Sequence, residues 1–324
     1  MVRILSDEAV ATCLSLPDLL GVVRDAFIAQ GRGAVERPDR PHFPVGAGLD
    51  GPDPKGTGLV MPAYVHGAAH YATKLVGVHE GNAKRGLPTV NAQIALTEAD
   101  TGRPVAYLSG NRITSARTGC IGGLAAAELA TGPVSLGILG AGTQARWQAR
   151  AIAAATDLES IRVYSPSDSK EACAADLESE LGVPAEAVAS PKKAVSGANV
   201  VVTATTSAEP VFSGNDLEPG ALVVAVGAYT SEMRELDAAT FDRAAKVFAD
   251  VPEEVAEVGD VLSADVGADE LLAFSSALEG DVGRERDEEI LVVESVGTAV
   301  LDAAAAERVF EEAEKRGIGE DVAL

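Results

Sequence analysis

Cationic residues, aromatics and sulfur are all scarce in this chain. Lys and Arg number 26 against 49 Asp and Glu, giving a formal net charge of −23, and Phe, Trp and Tyr make up 4% of the residues. A surface of that sign repels phosphate backbones and anionic membranes, so nucleic acid and membrane are excluded as partners, although local geometry can still hold a nucleotide. Cys13, Cys120 and Cys173 are odd in number and widely spaced, which speaks against a disulfide framework or a zinc cluster. The four His give no metal pattern: His66 and His70 bracket Gly67-Ala68-Ala69, a turn rather than a helix face. No metal is expected.

Long apolar runs are also missing. None approaches the roughly 18 to 20 residues needed to cross a bilayer, and the start from Met1 to Glu8 lacks a basic flank followed by an apolar stretch. A cytoplasmic setting is expected. The acidic residues are scattered, as in 171–180 and 307–314, rather than gathered in a tail. That distribution suits a halophilic, salt-rich cytosol, where hydrated carboxylates keep a protein soluble.

What is present is 324 residues, 47% of them hydrophobic, enough for one large or two medium domains. Residues 6–30 read as one amphipathic helix with Ser6 as N-cap and Gly31 as its stop. The Pro-rich stretch from Arg37 to Pro44 and the Gly-rich segment after it read as a surface or site-lining loop. Short β-like runs over 59–64, 70–78, 89–97 and 105–109, separated by turn signals, predict an antiparallel meander. An Ala-rich helix follows over 115–130, stopped by Thr131-Gly132-Pro133.

Beyond that stop, strand and helix alternate. Runs such as Val200-Val201-Val202 and Leu222-Val223-Val224 are apolar on both faces, as strands of a helix-covered parallel sheet must be. The fold class is α/β: a doubly wound dinucleotide domain over 133–296 beside an α+β domain with an antiparallel sheet, with a closing helix over about 298–316.

The strand over 134–139 runs into Gly140-Ala141-Gly142-Thr143-Gln144-Ala145, a G-x-G-x-x-A fingerprint. Gly140 permits the tight turn, Gly142 admits a pyrophosphate and Ala145 allows close helix packing. Cofactor type depends on the end of the next strand, where Asp or Glu would bond a ribose 2′-hydroxyl. Here it reads Tyr164-Ser165-Pro166-Ser167-Asp168, and Ser165 and Ser167 with Lys170 tilt the balance from NAD toward NADP.

Outside that domain, three cations keep unusual company: Arg40 in the Pro-rich loop, Lys74 inside an apolar strand and Arg117 near a helix start. A guanidinium suits a substrate carboxylate, and a Lys among apolar neighbours is costly unless paired or functional. Read alone, the two Arg are equally surface ion pairs, and Lys74 an outward-facing strand residue. Hydrolase signatures are absent: there is no G-x-S-x-G elbow and no supported Cys–His pair.

Five segments in order, Tyr71 to Val76, Leu87 to Pro104, Gly110 to Thr118, Gly140 to Ala145 and Ser295 to Ala299, resemble the ornithine cyclodeaminase/μ-crystallin family. The resemblance implies an NAD(P)-dependent oxidoreductase of amino-acid metabolism. It also implies a homodimer, with residues 1–117 completed by 299–324 as the substrate and dimerisation domain and 118–298 as the Rossmann domain. It assigns Arg40, Lys74 and Arg117 to the substrate carboxylate and reacting centre. Arg117, Gly140, Ala141, Gly142, Thr143, Gln144, Ser165, Ser167, Thr205, Val226, Gly227 and Ser295 are expected to face the cofactor.

Family members include ornithine cyclodeaminases, archaeal-type alanine dehydrogenases and reductases of cyclic ketimines such as Δ1-pyrroline-2-carboxylate. The first two carry an Asp after the strand ending near Val226, and Tyr229 stands at that position here. A carboxylate there can act as general base, whereas a Tyr near its ordinary pKa of about 10 is mainly a neutral donor. Tyr229 is therefore a candidate proton-transfer partner of Lys74, or a space-filling loop residue. The expected activity is reduction of a small cyclic imino acid, with alanine dehydrogenase or ornithine cyclodeaminase as the alternative and a non-catalytic NADPH-binding protein behind both.

Overall fold

The computed structural model describes residues 1–323, with Ala83 as backbone only. In chain order the first elements are β1 (Val2–Leu5), α1 (Asp7–Cys13), α2 (Leu16–Gly31), β2 (Val35–Glu36), β3 (His42–Val45), β4 (Gly56–Val65), β5 (His70–Val78), β6 (Val90–Glu98), β7 (Pro104–Ser109) and α3 (Gly110–Leu129). Then come β8 (Val134–Leu139), α4 (Thr143–Ala155), β9 (Leu158–Tyr164), α5 (Ser169–Leu181), β10 (Ala185–Ala187), α6 (Pro191–Val195), β11 (Val200–Thr203), β12 (Leu222–Ala225), α7 (Ala238–Arg243) and β13 (Ala244–Ala249). The chain closes with α8 (Pro252–Val255), α9 (Gly259–Ser263), β14 (Leu272–Ala273), α10 (Phe274–Leu278), β15 (Ile290–Glu294), α11 (Ala299–Arg316) and β16 (Glu320–Val322). No helix among the described residues is long and apolar enough to cross a membrane.

The helix expected over 6–30 is two helices. Ser6 caps the first, accepting from Ala9 N at 3.2 Å, but Leu14 is extended at φ −87°, ψ 126°. Pro17 explains the break: in a continuous helix its ring would strike the carbonyl four residues back, on Cys13, and it has no N–H to give. Helix α3 starts at Gly110, earlier than the Ala-rich pattern indicates. A Cβ at Gly110 would lie 2.9 Å from the Ala92 backbone, so only glycine lets the chain turn into a helix this close to β6.

Two compact units emerge: Met1–Ser15, Arg32–Arg117 and Ala299–Leu324 form one, and Leu16–Gly31 with Thr118–Thr298 the other. In the first, a mixed sheet runs β16-β1-β7-β6-β5-β4-β2, with β3 also on β4. The register places Met61, Lys74, Ile94 and Leu108 side by side across β4, β5, β6 and β7. This row belongs to the covered face, against which α11 packs. The opposite face carries Ile4, Tyr71, Leu75 and Tyr107, each more than a third exposed.

The second unit is an all-parallel sheet in the order β10-β9-β8-β11-β12-β15-β13-β14. Strands β11, β12 and β15 are buried along their whole length, as both-face coverage requires. Strands β10 and β14 escape the sequence pattern, because two or three residues are too few to show a period. Helix α2 groups with this unit, where Phe27 meets Phe274 edge-to-face at 5.3 Å. The strand order reverses direction between β8 and β11, making the crevice at their carboxyl ends the fold's natural ligand position.

Candidate functional site

In the first unit, β5 delivers Lys74 to the covered face of the sheet, where it is 2% exposed, and not to the outside. Helix α11 delivers Asp302 and α3 delivers Thr114 and Arg117 to the same point. Lys74 Nζ donates to Asp302 Oδ2 at 2.6 Å and to Thr114 Oγ1 at 3.4 Å, while the Thr114 hydroxyl donates to Asp302 Oδ1 at 3.3 Å. Arg117 Nε donates to Asp302 Oδ1 at 3.1 Å. Neither cation is a surface ion pair: Arg117 is 4% and Asp302 1% exposed.

Two cations share one carboxylate here. Burial lowers the Lys74 ammonium from its ordinary value to about 8, and the charges of Arg117 and Arg40 push the same way against the attraction of Asp302. Arg40 thus acts on Lys74 through its charge. Burial alone would raise the Asp302 carboxyl, but Arg117 and Lys74 outweigh it and hold it below the ordinary carboxylate range. Arg117 Nη1 is buried with no hydrogen-bond partner among the described residues. Leaving such a donor unmade costs about 1–3 kcal/mol, more for a charged group, so the site is preorganised to accept an anionic oxygen.

The second unit carries the fingerprint turn. Gly140 has φ +118°, its N–H donates to Tyr164 O at 2.8 Å, and a Cβ would meet Ala204 O at 2.5 Å. Gly142 is the N-cap of α4, no side chain caps that helix, and a Cβ on Gly142 would meet nothing within 4 Å. Open space at an uncapped helix N-terminus beside a Gly-only turn fits a pyrophosphate. Arg146 holds the turn by donating to Ala141 O at 2.7 Å while pairing with Asp176. Thr143 opens α4, and the buried Gln144 Oε1 has no partner among the described residues.

At the end of β9 the hydroxyls of Ser165, Ser167 and Ser169 form a chain with steps of 3.2 and 2.6 Å, and Lys170 Nζ donates to Ser165 O at 3.2 Å. Thr205, Val226, Gly227 and Ser295 follow β11, β12 and β15, at the carboxyl edge of the sheet. Val226 N donates to Thr203 O at 3.1 Å, and Ser295 Oγ donates to Asp250 Oδ2 at 2.6 Å. Tyr229 is 43% exposed in the loop after β12. Among the described residues no cluster of three His, Cys, Asp or Glu is arranged for a metal; His66 sits on Glu36 and His70 on Glu307.

Asp302 and Thr114 escaped the sequence reading. Asp302 is the one charged residue in Ala299-Val300-Leu301-Asp302-Ala303-Ala304-Ala305-Ala306, and the reasoning that singles out Lys74 in its apolar strand applies equally to it.

A unit with a doubly wound parallel sheet and a glycine-rich strand-to-helix turn, together with a unit that gathers buried cations, has the parts of a nicotinamide-dependent oxidoreductase. Residues 2–317 match the ornithine cyclodeaminase/mu-crystallin family, and the chain belongs to it. It is 33% identical over 297 residues to a Δ1-pyrroline-2-carboxylate reductase of Bacillus cereus, covering 88% of this chain and 90% of that one. The solved Thermococcus litoralis Δ1-pyrroline-2-carboxylate reductase, in complex with NADH and L-proline, superposes with a TM-score of 0.93 at 30% identity, covering 99% of this chain and 100% of that one. An archaeal alanine dehydrogenase dimer with bound NAD gives 0.90 at 30% identity, covering 100% and 99%.

Replacing Asp302 by Asn leaves two buried cations without a counter-ion. The expected loss of folding stability near neutral pH is about 3–5 kcal/mol, read from the urea midpoint of the variant against the wild type.

Proposed function

We propose that the chain reduces small cyclic ketimines carrying a carboxylate, of the Δ1-pyrroline-2-carboxylate type, to the corresponding cyclic amino acids. The observation that carries this reading is the shared Asp302 carboxylate, which holds Lys74 as a proton donor and leaves Arg117 Nη1 buried and unfilled. Reduction of C=N needs two electrons and a proton at carbon and a second proton at nitrogen. A bound reduced nicotinamide supplies hydride to C2. Arg117 and Arg40 hold the carboxylate, and Lys74, with a pKa of about 8, protonates the ring nitrogen near neutral pH. Tyr229 stands where cyclodeaminases and alanine dehydrogenases carry Asp; it supplies no general base, which favours reduction over deamination. We assign it a supporting donor role to the same proton.

The finer cofactor choice is NADPH. The end of β9 offers the hydroxyls of Ser165, Ser167 and Ser169 and the ammonium of Lys170, and the acidic Asp168 comes after the strand has ended. Gly140, Ala141, Gly142, Thr143 and Gln144 bind the pyrophosphate, and Thr205, Val226, Gly227 and Ser295 line the nicotinamide end. The functional form is a homodimer. The open sheet face bearing Ile4, Tyr71, Leu75 and Tyr107 is the surface for a second copy, and the archaeal relative is itself a dimer.

The deciding assay follows loss of reduced-nicotinamide absorbance with NADH and NADPH in parallel, on Δ1-pyrroline-2-carboxylate and on pyruvate plus ammonia. Oxidation with the cyclic imine, faster with NADPH, is expected. Turnover confined to pyruvate plus ammonia would make the chain an alanine dehydrogenase and overturn the assignment. With the imine, kcat/KM should fall as pH rises through about 8, where Lys74 loses its proton. Lys74→Met should lower kcat by about 10²–10⁴-fold with NADPH binding retained; unchanged turnover would remove Lys74 from the chemistry. Light scattering should give a dimer mass for the wild type, and Leu75→Asp with Tyr107→Glu should give the monomer.

A further inference from the structure

The carboxyl edge of the parallel sheet holds a set of buried acids that the reaction does not use. Glu235 is 0%, Asp260 0%, Glu294 2% and Asp250 3% exposed. Three of them bind backbone. Glu235 Oε1 accepts from Thr205 N at 2.6 Å, and its Oε2 accepts from Gly227 N at 2.8 Å and from Thr203 Oγ1 at 2.9 Å. Asp260 Oδ1 accepts from the N–H groups of Glu235 and Leu236 at 2.6 and 2.7 Å, fixing the segment that carries Glu235. Asp250 ties down the loop after β15 by accepting from Ser295 Oγ, Val296 N and Gly297 N.

One carboxylate thus joins the ends of two adjacent strands, β11 and β12. Gly227 is part of the joint: a Cβ there would lie 2.2 Å from Thr205 O and 2.6 Å from the Glu235 carboxylate. In a doubly wound sheet the half beyond the switch point carries the second mononucleotide of the dinucleotide. Strands β11 and β12 belong to that half, and the fingerprint turn after β8 belongs to the first.

We propose that Glu235 is a positioning residue for the nicotinamide half of the cofactor, holding the Thr205 and Gly227 loops together as one cradle when it is ionised and releasing them when it is protonated. An ionised carboxylate accepts from all three donors; a protonated one must turn a hydrogen toward one of them. Burial raises the Glu235 carboxyl to about 7, while the bonds from Thr205, Thr203 and Gly227 pull it down, so the change falls near neutral pH.

Among the described residues, Glu294 at the end of β15 interacts electrostatically with Glu235, with Asp260 in α9 and with Asp250 after β13, and Arg234 interacts with Asp260. Burial, with the charges of Asp260, Glu235 and Asp250, drives the Glu294 carboxyl well above its ordinary range. Asp260 titrates lower, at about 6, raised by burial against the N–H groups of Leu236 and Glu235 and the charge of Arg234.

The proposal rests on the cofactor class and is independent of the substrate. Its test measures the Kd of NADPH, with NADH in parallel, by fluorescence on the full-length protein without substrate, so a negative ketimine assay leaves it standing. Wild-type Kd should rise as pH falls through about 7. Thr203→Val removes one donor to the carboxylate and should move that rise to higher pH. Glu235→Gln should weaken binding on the order of tenfold above the transition and abolish the pH dependence around it. A wild-type Kd that is flat across this range, a transition unmoved in Thr203→Val, or a Glu235→Gln variant that keeps the wild-type profile would each overturn the assignment. The first two measurements decide the matter even if Glu235→Gln does not fold.

Discussion

The first unit is organised around one carboxylate. Asp302 is 1% exposed and is shared between Lys74, 228 residues away in sequence, and Arg117, 185 residues away. Without it the Lys74 ammonium would give up its proton more readily, and the Arg117 guanidinium, which stays charged, would be buried unpaired at a cost of several kcal/mol. The partition is unequal in a useful way. Lys74 and the Nε edge of Arg117 are satisfied, while Nη1 of Arg117 is not. Such a site is charged, buried and holds one donor without an acceptor among the described residues.

Carboxylates do related work in the second unit, on backbone rather than on cations. Glu235, Asp250 and Asp260 each take two or more donors from loops that follow strands of the parallel sheet. Loops at the carboxyl edge of such a sheet must present open N–H groups and grooves to a ligand, so they cannot be stabilised by packing into a core. Buried acids reaching over the strand ends supply that rigidity from behind. Burial and the charges of Asp260, Glu235 and Asp250 raise the Glu294 carboxyl well above the ordinary carboxylate range.

Glycine at the two turns plays different parts. Gly140 is imposed by backbone conformation and by the carbonyl of Ala204, whereas Gly142 faces open space where α4 begins. The first closes the turn; the second leaves room above it. Gly227 has a packing reason of its own, since Thr205 O and Glu235 occupy the volume a side chain would need.

Much of this was legible in the sequence. Short apolar runs rich in Val, bounded by turn signals and alternating with helices, fit parallel strands covered on both faces, and a Gly-x-Gly turn between strand and helix is a local pattern, so the doubly wound unit and its glycine turn could be read off neighbouring residues. Lys74 declared itself by its apolar company. Asp302, Thr114 and Glu235 did not, because their meaning lies in partners tens to hundreds of residues away. Local periodicity also carried the helix from Ser6 straight through Pro17, where a steric clash with Cys13 splits it. Sequence alone therefore determined the class of fold, the glycine turn after the first strand of the parallel sheet and the presence of misplaced cations. The tertiary structure decided which acid neutralises them, which guanidinium nitrogen is left unfilled and which carboxylate holds the strand ends, since pairing of buried charges is settled by distance in space and not by spacing along the chain.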